Sequence, residues 1–312
     1  MASRSIIIDT DPGQDDAVAI LVAMASPEVE LIGITTVAGN VPQPLVTVNA
    51  LKMCELAGQT TVPVFPGAEG PLERSLFTAE YVHGPTGIDG ADLPAPTVSA
   101  QTTSAVDFIV ASCLSADDAS LTICPLGPLT NVAHALRAEP HIVPKIREIA
   151  LMGGGFFAGG NTTPVAEFNI YVDPQAADIV VSSGVPVTMF PLDVTHQALV
   201  LPEHLAAFRE LGTAAGAAVA GMLDYYGDYD IEKYAMPGAP LHDPCVVAYL
   251  IDPALFSGKS CHVEVETESE LTIGQTVVDW WGMTGKPPNA LVMDSVDAEG
   301  FMALVIDRIG RL

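Results

Sequence analysis

Four aspartates lie within eight residues near the start of the chain, at positions 9, 11, 15 and 16. The residues before them, Ser5–Ile8, form an apolar run typical of a buried strand, and Ala17–Ala23 after them is typical of a helix. Pro12 and Gly13 favour a turn between the two elements. The carboxylates are therefore expected at the carboxyl end of the first strand, where open α/β sheets bind their ligands.

The charge of these four side chains indicates a bound cation. Closely spaced carboxylates repel one another unless protons, hydrogen bonds or a cation neutralise them. Oxygen ligands on a turn suit a hard divalent ion, Ca²⁺ or Mg²⁺. A solvated acidic helix start, favoured by the helix dipole, would account for Asp15 and Asp16. It accounts poorly for Asp9 and Asp11, because both end an apolar strand.

Further polar clusters follow other predicted strands. Each alone fits an ordinary loop, but their recurrence at several strand ends favours one common site. The Gly-Pro turn at positions 127–128 could expose the Leu126 carbonyl to a metal. The cluster at Asn161–Asn169 combines two amides with a carboxylate. Such groups form hydrogen bonds with hydroxyls, which indicates a polyol or sugar ligand. The clusters are Val37–Asn40, Pro125–Asn131, Met152–Gly155 and Asn161–Asn169.

Two histidines are candidates for proton transfer. His242 and Asp243 precede Pro244 and an apolar helical stretch, so Asp243 is predicted to be an N-cap with proline at the first helical position. Such a cap could still bind a metal. His242 has no capping role and is a candidate proton donor. His83, in a glycine-rich loop, is the other candidate.

The apolar and turn patterns predict the elements that position these residues. Strand-like and helical runs alternate, which indicates an α/β fold with one doubly wound, mostly parallel, Rossmann-like sheet, in a single domain over residues 1–312. Ser260–Asp279 lacks a helix and is predicted to add an antiparallel edge. Long loops, typical of binding loops or lids, are predicted at Pro66–Thr97 and Tyr225–Pro240. The predicted strands are Ser5–Asp9, Glu30–Val37, Thr61–Phe65, Ser120–Cys124, Glu148–Met152, Val185–Phe190 and Ala290–Met293, and the predicted helices are Asp15–Ala25, Pro42–Leu56, Ala105–Leu114, Leu129–Arg137, Pro174–Ser182, Ala214–Tyr226 and Asp297–Ile309.

Composition limits the partners and the compartment. The formal net charge of −26 disfavours nucleic acid and anionic membranes but is compatible with a neutral substrate and a bound cation. No apolar run approaches the roughly 20 residues of a membrane span, and no signal-peptide pattern is evident. The five cysteines are odd in number and widely spaced, so neither a disulfide framework nor a zinc site is indicated. A cytoplasmic protein is expected.

With these motifs in order, the sequence resembles the inosine–uridine-preferring nucleoside hydrolases. Residues 9–17 match the N-terminal signature of that family, and the resemblance continues in order over essentially the whole chain. It implies the nucleoside hydrolase fold and assembly as a homodimer or homotetramer. The matching segments are Val37–Asn40, Gly127–Asn131, Met152–Gly155, Pro164–Asn169, Pro191–His196 and His242–Pro244.

The resemblance also implies the roles of individual residues. One Ca²⁺ per subunit is expected on Asp11, Asp16, Asp243 and the Leu126 carbonyl, where many relatives have threonine instead of leucine. His242 aligns with the histidine that protonates the leaving base, and His83 with a base-side histidine. The Tyr225–Tyr234 segment resembles an aromatic loop that closes over the base, with Tyr229 as the expected contact. The other expected substrate contacts, mostly to ribose, are Asp15, Asn40, Met152, Asn161, Glu167, Phe168 and Asn169.

The expected reaction is hydrolysis of the N-glycosidic bond of purine or pyrimidine ribonucleosides to ribose and free base. Ca²⁺ is expected to bind two ribose hydroxyls and a water whose proton passes to Asp11, while His242 protonates the base. A pyrimidine-restricted range is the alternative within this activity. The rival functions are a phosphohydrolase with Asp9 or Asp11 as nucleophile, disfavoured by few lysines, and a non-catalytic sugar or nucleoside binder.

Overall fold

The isoleucines at positions 6, 7 and 8 form the centre of a buried strand, β1 (Arg4–Thr10). In the computed structural model, residues 3–234 and 236–312 are described, except for the side chains at 228–230, 232 and 234. β1 pairs in parallel with β2 (Val29–Thr36) on one side and with β4 (Leu121–Pro125) on the other. Because β1 is flanked on both sides, the loop that follows it lies at the middle of the sheet edge.

The remaining strands extend this sheet in both directions. The described residues contain an eight-stranded sheet in the order β3-β2-β1-β4-β5-β6-β12-β9, with β9 antiparallel to β12 and every other pair parallel. Two small antiparallel pairs, β7 with β8 and β10 with β11, lie outside it. The other strands are β3 (Val64–Pro66), β5 (Ile146–Met152), β6 (Val187–Phe190), β7 (Leu199–Val200), β8 (Ala239–Pro240), β9 (Phe256–Cys261), β10 (Val263–Val265), β11 (Thr276–Val278) and β12 (Ala290–Val296).

Helices cover both faces of the sheet, which gives the predicted doubly wound arrangement. Every residue of α1 (Gln14–Met24) is buried, because the helix lies between the sheet and neighbouring helices. None of the described helices is long and apolar enough to cross a bilayer. The others are α2 (Gln43–Leu56), α3 (Glu80–His83), α4 (Ala105–Ser115), α5 (Thr130–Ala138), α6 (Phe168–Val172), α7 (Pro174–Val181), α8 (Leu192–Thr195), α9 (Pro202–Glu210), α10 (Ala214–Tyr234), α11 (Pro244–Ile251) and α12 (Ala298–Ile309), with 3-10 turns at Pro140–Lys145 and Pro253–Leu255.

The structure confirms the fold class and corrects two boundaries. An antiparallel edge exists, but its strand is β9, before most of the predicted segment 260–279, which contributes the separate β10–β11 pair. The predicted loop 225–240 is wrong over its first half, because α10 continues to Tyr234. Between Tyr225 and Tyr234 the sequence contains no proline, and the lone Gly227 costs a helix only about 1 kcal/mol.

Candidate active site

Four buried aspartates meet at the carboxyl ends of β1 and its neighbours, and we call them the carboxylate cluster (Asp11, Asp15, Asp16 and Asp243). Asp11 follows β1, Asp15 and Asp16 lie in the first turn of α1, and Asp243 directly precedes α11. Carboxylate oxygens of Asp15, Asp16 and Asp243 lie within 4.8 Å of one another. The turn between β1 and α1 and the start of α11 are far apart in the sequence, but they bring their carboxylates together. The gathering of carboxylates after the first strand agrees with the prediction.

Backbone and side-chain donors fix the aspartates that begin this cluster. Asp16 accepts hydrogen bonds from the Gly13 amide at 2.9 Å and from the Thr10 hydroxyl, so it caps α1 while pointing toward the cluster. Asp11 Oδ2 accepts from the Asn40 amide at 2.7 Å. Asp11 Oδ1 is buried and has no hydrogen-bond partner among the described residues. An orphaned carboxylate oxygen of this kind is the ligand that a hard cation requires.

Asp243 occupies the N-cap position that the sequence predicts, with Pro244 as the first helical residue. Its side chain, however, makes no capping hydrogen bond to α11. The carboxylate is directed instead toward Asp15 and Asp16. The predicted N-cap position is therefore confirmed, but the side chain belongs to the cluster and does not cap the helix.

Ionisation of these four buried, neighbouring carboxylates is unfavourable unless a positive charge balances them. Loss of hydration, reinforced by the negative charge of Asp16, raises the pKa of Asp11 well above its usual range. The same two causes raise the pKa of Asp15 to about 8. Burial, followed by the charges of Asp15, Asp16 and Asp11, raises the pKa of Asp243 well above its usual range. A divalent cation would remove this repulsion, so the donor set fits a metal.

Asp9, the remaining aspartate of the opening motif, connects strands. Its Oδ1 accepts from the Thr35 hydroxyl on β2 at 2.6 Å and from the Asn131 amide on α5 at 2.8 Å. Burial nevertheless raises the pKa of Asp9 to about 7. Asp9 therefore holds the sheet together beneath the cluster, which removes it as the nucleophile of a phosphohydrolase.

Glu167 and Asn169 form a second polar group, held by hydrogen bonds to the backbone. The Glu167 carboxylate accepts from the backbone amides of Gly154 and Asn169, each at 2.9 Å, and burial raises its pKa to about 7. The Asn169 amide nitrogen donates to the Leu126 carbonyl at 2.6 Å and to the Met152 carbonyl at 3.2 Å. These bonds link α6 to the ends of β4 and β5. The glycine at 154 has a φ of +83°, a conformation that other residues adopt only under strain.

Two buried histidines, which we call the histidine pair (His83 and His242), line the remaining side. His83 ends α3, and its ring stacks on Tyr226 of α10 with centroids 5.5 Å apart. His83 Nδ1 lies 2.7 Å from Gln14 Oε1, and His242 Nδ1 lies 2.7 Å from Thr195 Oγ1. Burial lowers the pKa of His83 to about 3 and that of His242 well below its usual range. Both rings are therefore neutral at pH 7.

One cavity joins the carboxylate cluster, the polar group and the histidine pair. Most of the predicted site residues line it, whereas Asp11 and Asp16 belong to the cluster but do not line the cavity. The side chain of Tyr229, the predicted aromatic contact, lies outside the described residues. The predicted residues that line the cavity are Asp15, Asn40, His83, Leu126, Met152, Asn161, Glu167, Phe168, Asn169, His242 and Asp243.

Comparison with known proteins identifies the family of the chain. A family profile described as inosine-uridine preferring nucleoside hydrolase matches residues 6–303. The chain belongs to this family. A pyrimidine-specific ribonucleoside hydrolase, RihA, from Shewanella sp. strain ANA-3 is 47% identical over 309 residues, which cover 98% of this chain and 96% of the relative.

Solved structures agree with this assignment. A purine-preferring ribonucleoside hydrolase from Gardnerella vaginalis superposes with a TM-score of 0.92 at 37% identity, and a plant nucleoside hydrolase with 0.91 at 33% identity. Each comparison covers 98% of both chains. The protein is therefore an enzyme, a hydrolase that acts on N-glycosyl bonds, with the nucleoside hydrolase fold.

Sequence reasoning missed several residues around the cavity of this nucleoside hydrolase. Tyr81 and Tyr226 line the cavity, and Gln14 and Thr195 contact the histidine pair. Tyr226 lies in the Tyr225–Tyr234 segment that was expected to close over the base, but Tyr229 was the contact predicted there. The contacts of Gln14 and Thr195 join residues 69 and 47 positions apart, and a single sequence gives no sign of such pairs.

Proposed function

We propose that this nucleoside hydrolase cleaves the N-glycosidic bond of ribonucleosides and releases ribose and the free base. One observation carries the proposal, namely that buried carboxylates and two histidines line a single cavity. Breaking this bond builds positive charge on the ribosyl ring and negative charge on the departing base. The carboxylates stabilise the positive charge, and a hydrogen bond donated by a histidine stabilises the negative charge.

The donor set supports a calcium ion held by Asp11, Asp16, Asp243 and the Leu126 carbonyl. All four offer oxygen atoms, and the unpartnered Asp11 Oδ1 gives the ion a ligand that nothing else occupies among the described residues. When bound, such an ion acts as a Lewis acid that makes water a better nucleophile at neutral pH. Asp11 is the base in this proposal, because its buried carboxylate lies among the proposed metal ligands, next to the water that the ion would activate.

Ribose recognition is proposed for Asp15, Asn40, Asn161, Glu167 and Asn169, with Met152 and Phe168 beside the sugar. The Glu167 carboxylate and the Asn169 amide are held by backbone groups before any ligand arrives. Such prearranged polar groups bind sugar hydroxyls without further loss of side-chain freedom. A substrate that lacks one hydroxyl leaves buried polar atoms unpaired, so ribose is favoured over deoxyribose.

His242 is proposed to assist the departing base. As a neutral ring it donates a hydrogen bond that stabilises the negative charge developing on the departing base. It protonates the base only after taking up a second proton itself, because a neutral imidazole is too weak an acid. The Thr195 hydroxyl at Nδ1 holds the ring in place, and a donated hydrogen bond from it leaves Nε2 as the protonated nitrogen. His83 and Tyr226 form an adjacent aromatic surface for the base.

Among the possible bases, we propose that pyrimidines are cleaved, with purines as a second class. The RihA relative, named pyrimidine-specific, is 47% identical, whereas the structure named purine-preferring is 37% identical. Ester phosphates are poor candidates for this site. Among the described lining residues there is no lysine or arginine to balance a phosphate.

Release of reducing sugar from a panel of nucleosides tests the proposal directly. Uridine, cytidine, inosine and adenosine should release ribose in the presence of Ca²⁺, with uridine or cytidine cleaved fastest. Phosphate esters should release no phosphate. Tight nucleoside binding without sugar release would instead support a non-catalytic binder and overturn the proposal.

A further inference from the structure

The orientation of the Gln14 side chain is determined by its neighbours. Gln14 is fully buried in the first turn of α1, beside the carboxylate cluster. Its amide nitrogen lies 3.0 Å from the His83 carbonyl and 3.2 Å from the Asp89 carbonyl. Carbonyl oxygens only accept hydrogen bonds, so the NH₂ group must face them. The amide oxygen, Oε1, consequently faces the His83 ring, at 2.7 Å from Nδ1.

This orientation determines where the proton of His83 lies. An amide oxygen cannot donate, so Nδ1 must carry the hydrogen in the bond to Gln14. Burial keeps the ring neutral at physiological pH, since it lowers the pKa to about 3. A neutral imidazole has one N–H and one bare nitrogen, so Nε2 carries a lone pair. Nδ1 is turned to Gln14, so Nε2 is the nitrogen that His83 can offer to the cavity it lines.

We infer that Gln14 is a specificity-determining positioning residue, which holds His83 as a hydrogen-bond acceptor for an N–H group of the substrate base. The inference rests on the proposed function, because it takes the base to lie against the histidine pair. The ring is held from two sides, by Gln14 at Nδ1 and by Tyr226 on its face. Its acceptor nitrogen is therefore fixed in direction before substrate binds.

The chemistry selects bases by their hydrogen-bonding edge. Uracil and hypoxanthine present a ring N–H, and cytosine presents an amino group, so each can donate to a bare imidazole nitrogen. A base whose corresponding nitrogen is methylated cannot donate there. The two histidines then have opposite roles, with His242 as donor to the leaving group and His83 as acceptor. Such a pair orients the base between them.

The tautomer of His83 can be measured without any substrate. Long-range ¹H–¹⁵N spectra of the calcium-loaded, ¹⁵N-histidine-labelled enzyme report which ring nitrogen is protonated, and His83→Gln identifies the signals. A neutral ring with the proton on Nδ1 is expected between pH 5.5 and 8. Gln14→Met, which keeps the length of the side chain but offers no amide, should lose this preference. A wild-type ring protonated on Nε2 would overturn the inference even if the enzyme hydrolyses nucleosides as proposed.

Kinetics test whether the tautomer matters for the base. Gln14→Met should lower kcat/KM for uridine about tenfold more than for a nitrophenyl riboside, which has no base N–H, on the scale of one neutral hydrogen bond. When His83→Gln is already present, adding Gln14→Met should lower kcat/KM for the two substrates by the same factor. Gln43→Met is a matched control, because Gln43 is a buried glutamine whose side-chain hydrogen bonds, among the described residues, go to Thr36 and Thr47.

The outcomes separate this inference from the proposed function. Equal losses on both substrates would mean that Gln14 only supports the fold or the carboxylate cluster, and the inference would be wrong. It would also be overturned if Gln43→Met changed the ratio of kcat/KM for uridine to kcat/KM for the nitrophenyl riboside as much as Gln14→Met does. If wild-type enzyme cleaves neither substrate, the proposed function fails, and the spectra still decide the tautomer.

Discussion

The carboxylate cluster and the histidine pair share one cavity but are built in different ways. Asp16 and Asp11 accept hydrogen bonds from the backbone amides of Gly13 and Asn40, in the turns that follow β1 and β2. The ring nitrogens of His83 and His242 contact side chains instead, those of Gln14 and Thr195. Backbone groups at the edge of the sheet thus hold two of the aspartates, whereas side chains hold the histidines. We therefore expect substitutions in the two regions to have effects that can be separated.

The largest expected effect is at the carboxylate cluster. Asp11→Ala should abolish turnover of every substrate, because the proposed base and a metal ligand are lost together, a loss beyond about 10³-fold. Removal of Ca²⁺ with a chelator should have the same effect and be reversed by added Ca²⁺. Steady-state assays on uridine and nitrophenyl riboside measure both.

Asp9→Asn is the control for the loss of a buried aspartate in the same motif. Asparagine keeps an acceptor for Thr35 and Asn131, so turnover should persist. If Asp11→Ala retained substantial activity on either substrate, the cluster would not be the catalytic half of the cavity.

The next effect concerns the sugar. Uridine should be cleaved faster than 2′-deoxyuridine by about 10⁴-fold, because the missing hydroxyl strands buried polar groups. Parallel kcat/KM measurements on the two nucleosides test this, with inosine and 2′-deoxyinosine as a second pair. Equal rates would mean that the cavity does not recognise the ribose hydroxyls.

A smaller and more selective effect is expected for the histidine pair. His242→Ala should slow uridine or inosine hydrolysis by about 10²–10⁴-fold, the usual range for proton donation to a leaving group. The nitrophenyl riboside, whose leaving group departs unaided, should be slowed far less. His196→Ala provides a control, since His196 lies beside His242 but does not line the cavity.

The ratio between the two substrates decides this prediction. If His242→Ala slows both equally, then His242 supports Asp243 and the cluster, and the two regions are not separable. If neither substrate is slowed, another group is the acid, and His83 is the next residue to test.

The smallest expected effect is the contribution of His83 to the pH dependence of the free energy of unfolding. Below pH 6.5 the unfolded chain binds a proton at this ring, which the folded protein excludes down to about pH 3. The contribution of His83 to the free energy of unfolding should therefore fall by about 1.4 kcal/mol between pH 7.5 and 5.5. Urea unfolding with saturating Ca²⁺ should show that loss in wild type relative to His83→Gln. Parallel pH curves for the two proteins would contradict the assignment of a buried neutral ring.

The features predicted correctly from the sequence are those that short stretches of residues determine. The apolar run before Asp9 and the Pro-Gly turn after Asp11 were sufficient to predict β1, α1 and the gathering of carboxylates between them. Alternation of strands and helices was sufficient for the fold class. Both signals lie within short stretches of chain, and this is why they could be recognised without a structure.

Contacts between distant segments could not be predicted in this way. The bond from Gln14 to His83 and the bond from Thr195 to His242 depend on how separate loops pack. The extent of α10 was missed because the family resemblance predicted a loop over Tyr225–Tyr234, whereas the helix continues to Tyr234. The residues proposed to bind metal and substrate stay predictions until variants are assayed.

Two glycines close on Asp11 from neighbouring loops and leave its carboxylate no room to move. A methyl group at Gly39 would fall on Oδ2 of Asp11, and one at Gly127 would fall on Oδ1. Even alanine at either position must displace the carboxylate or the loop. Positions 39 and 127 should therefore tolerate almost no substitution, although neither glycine contributes a side chain to the site. The position of the Asp11 carboxylate thus depends on two residues that have no side chain.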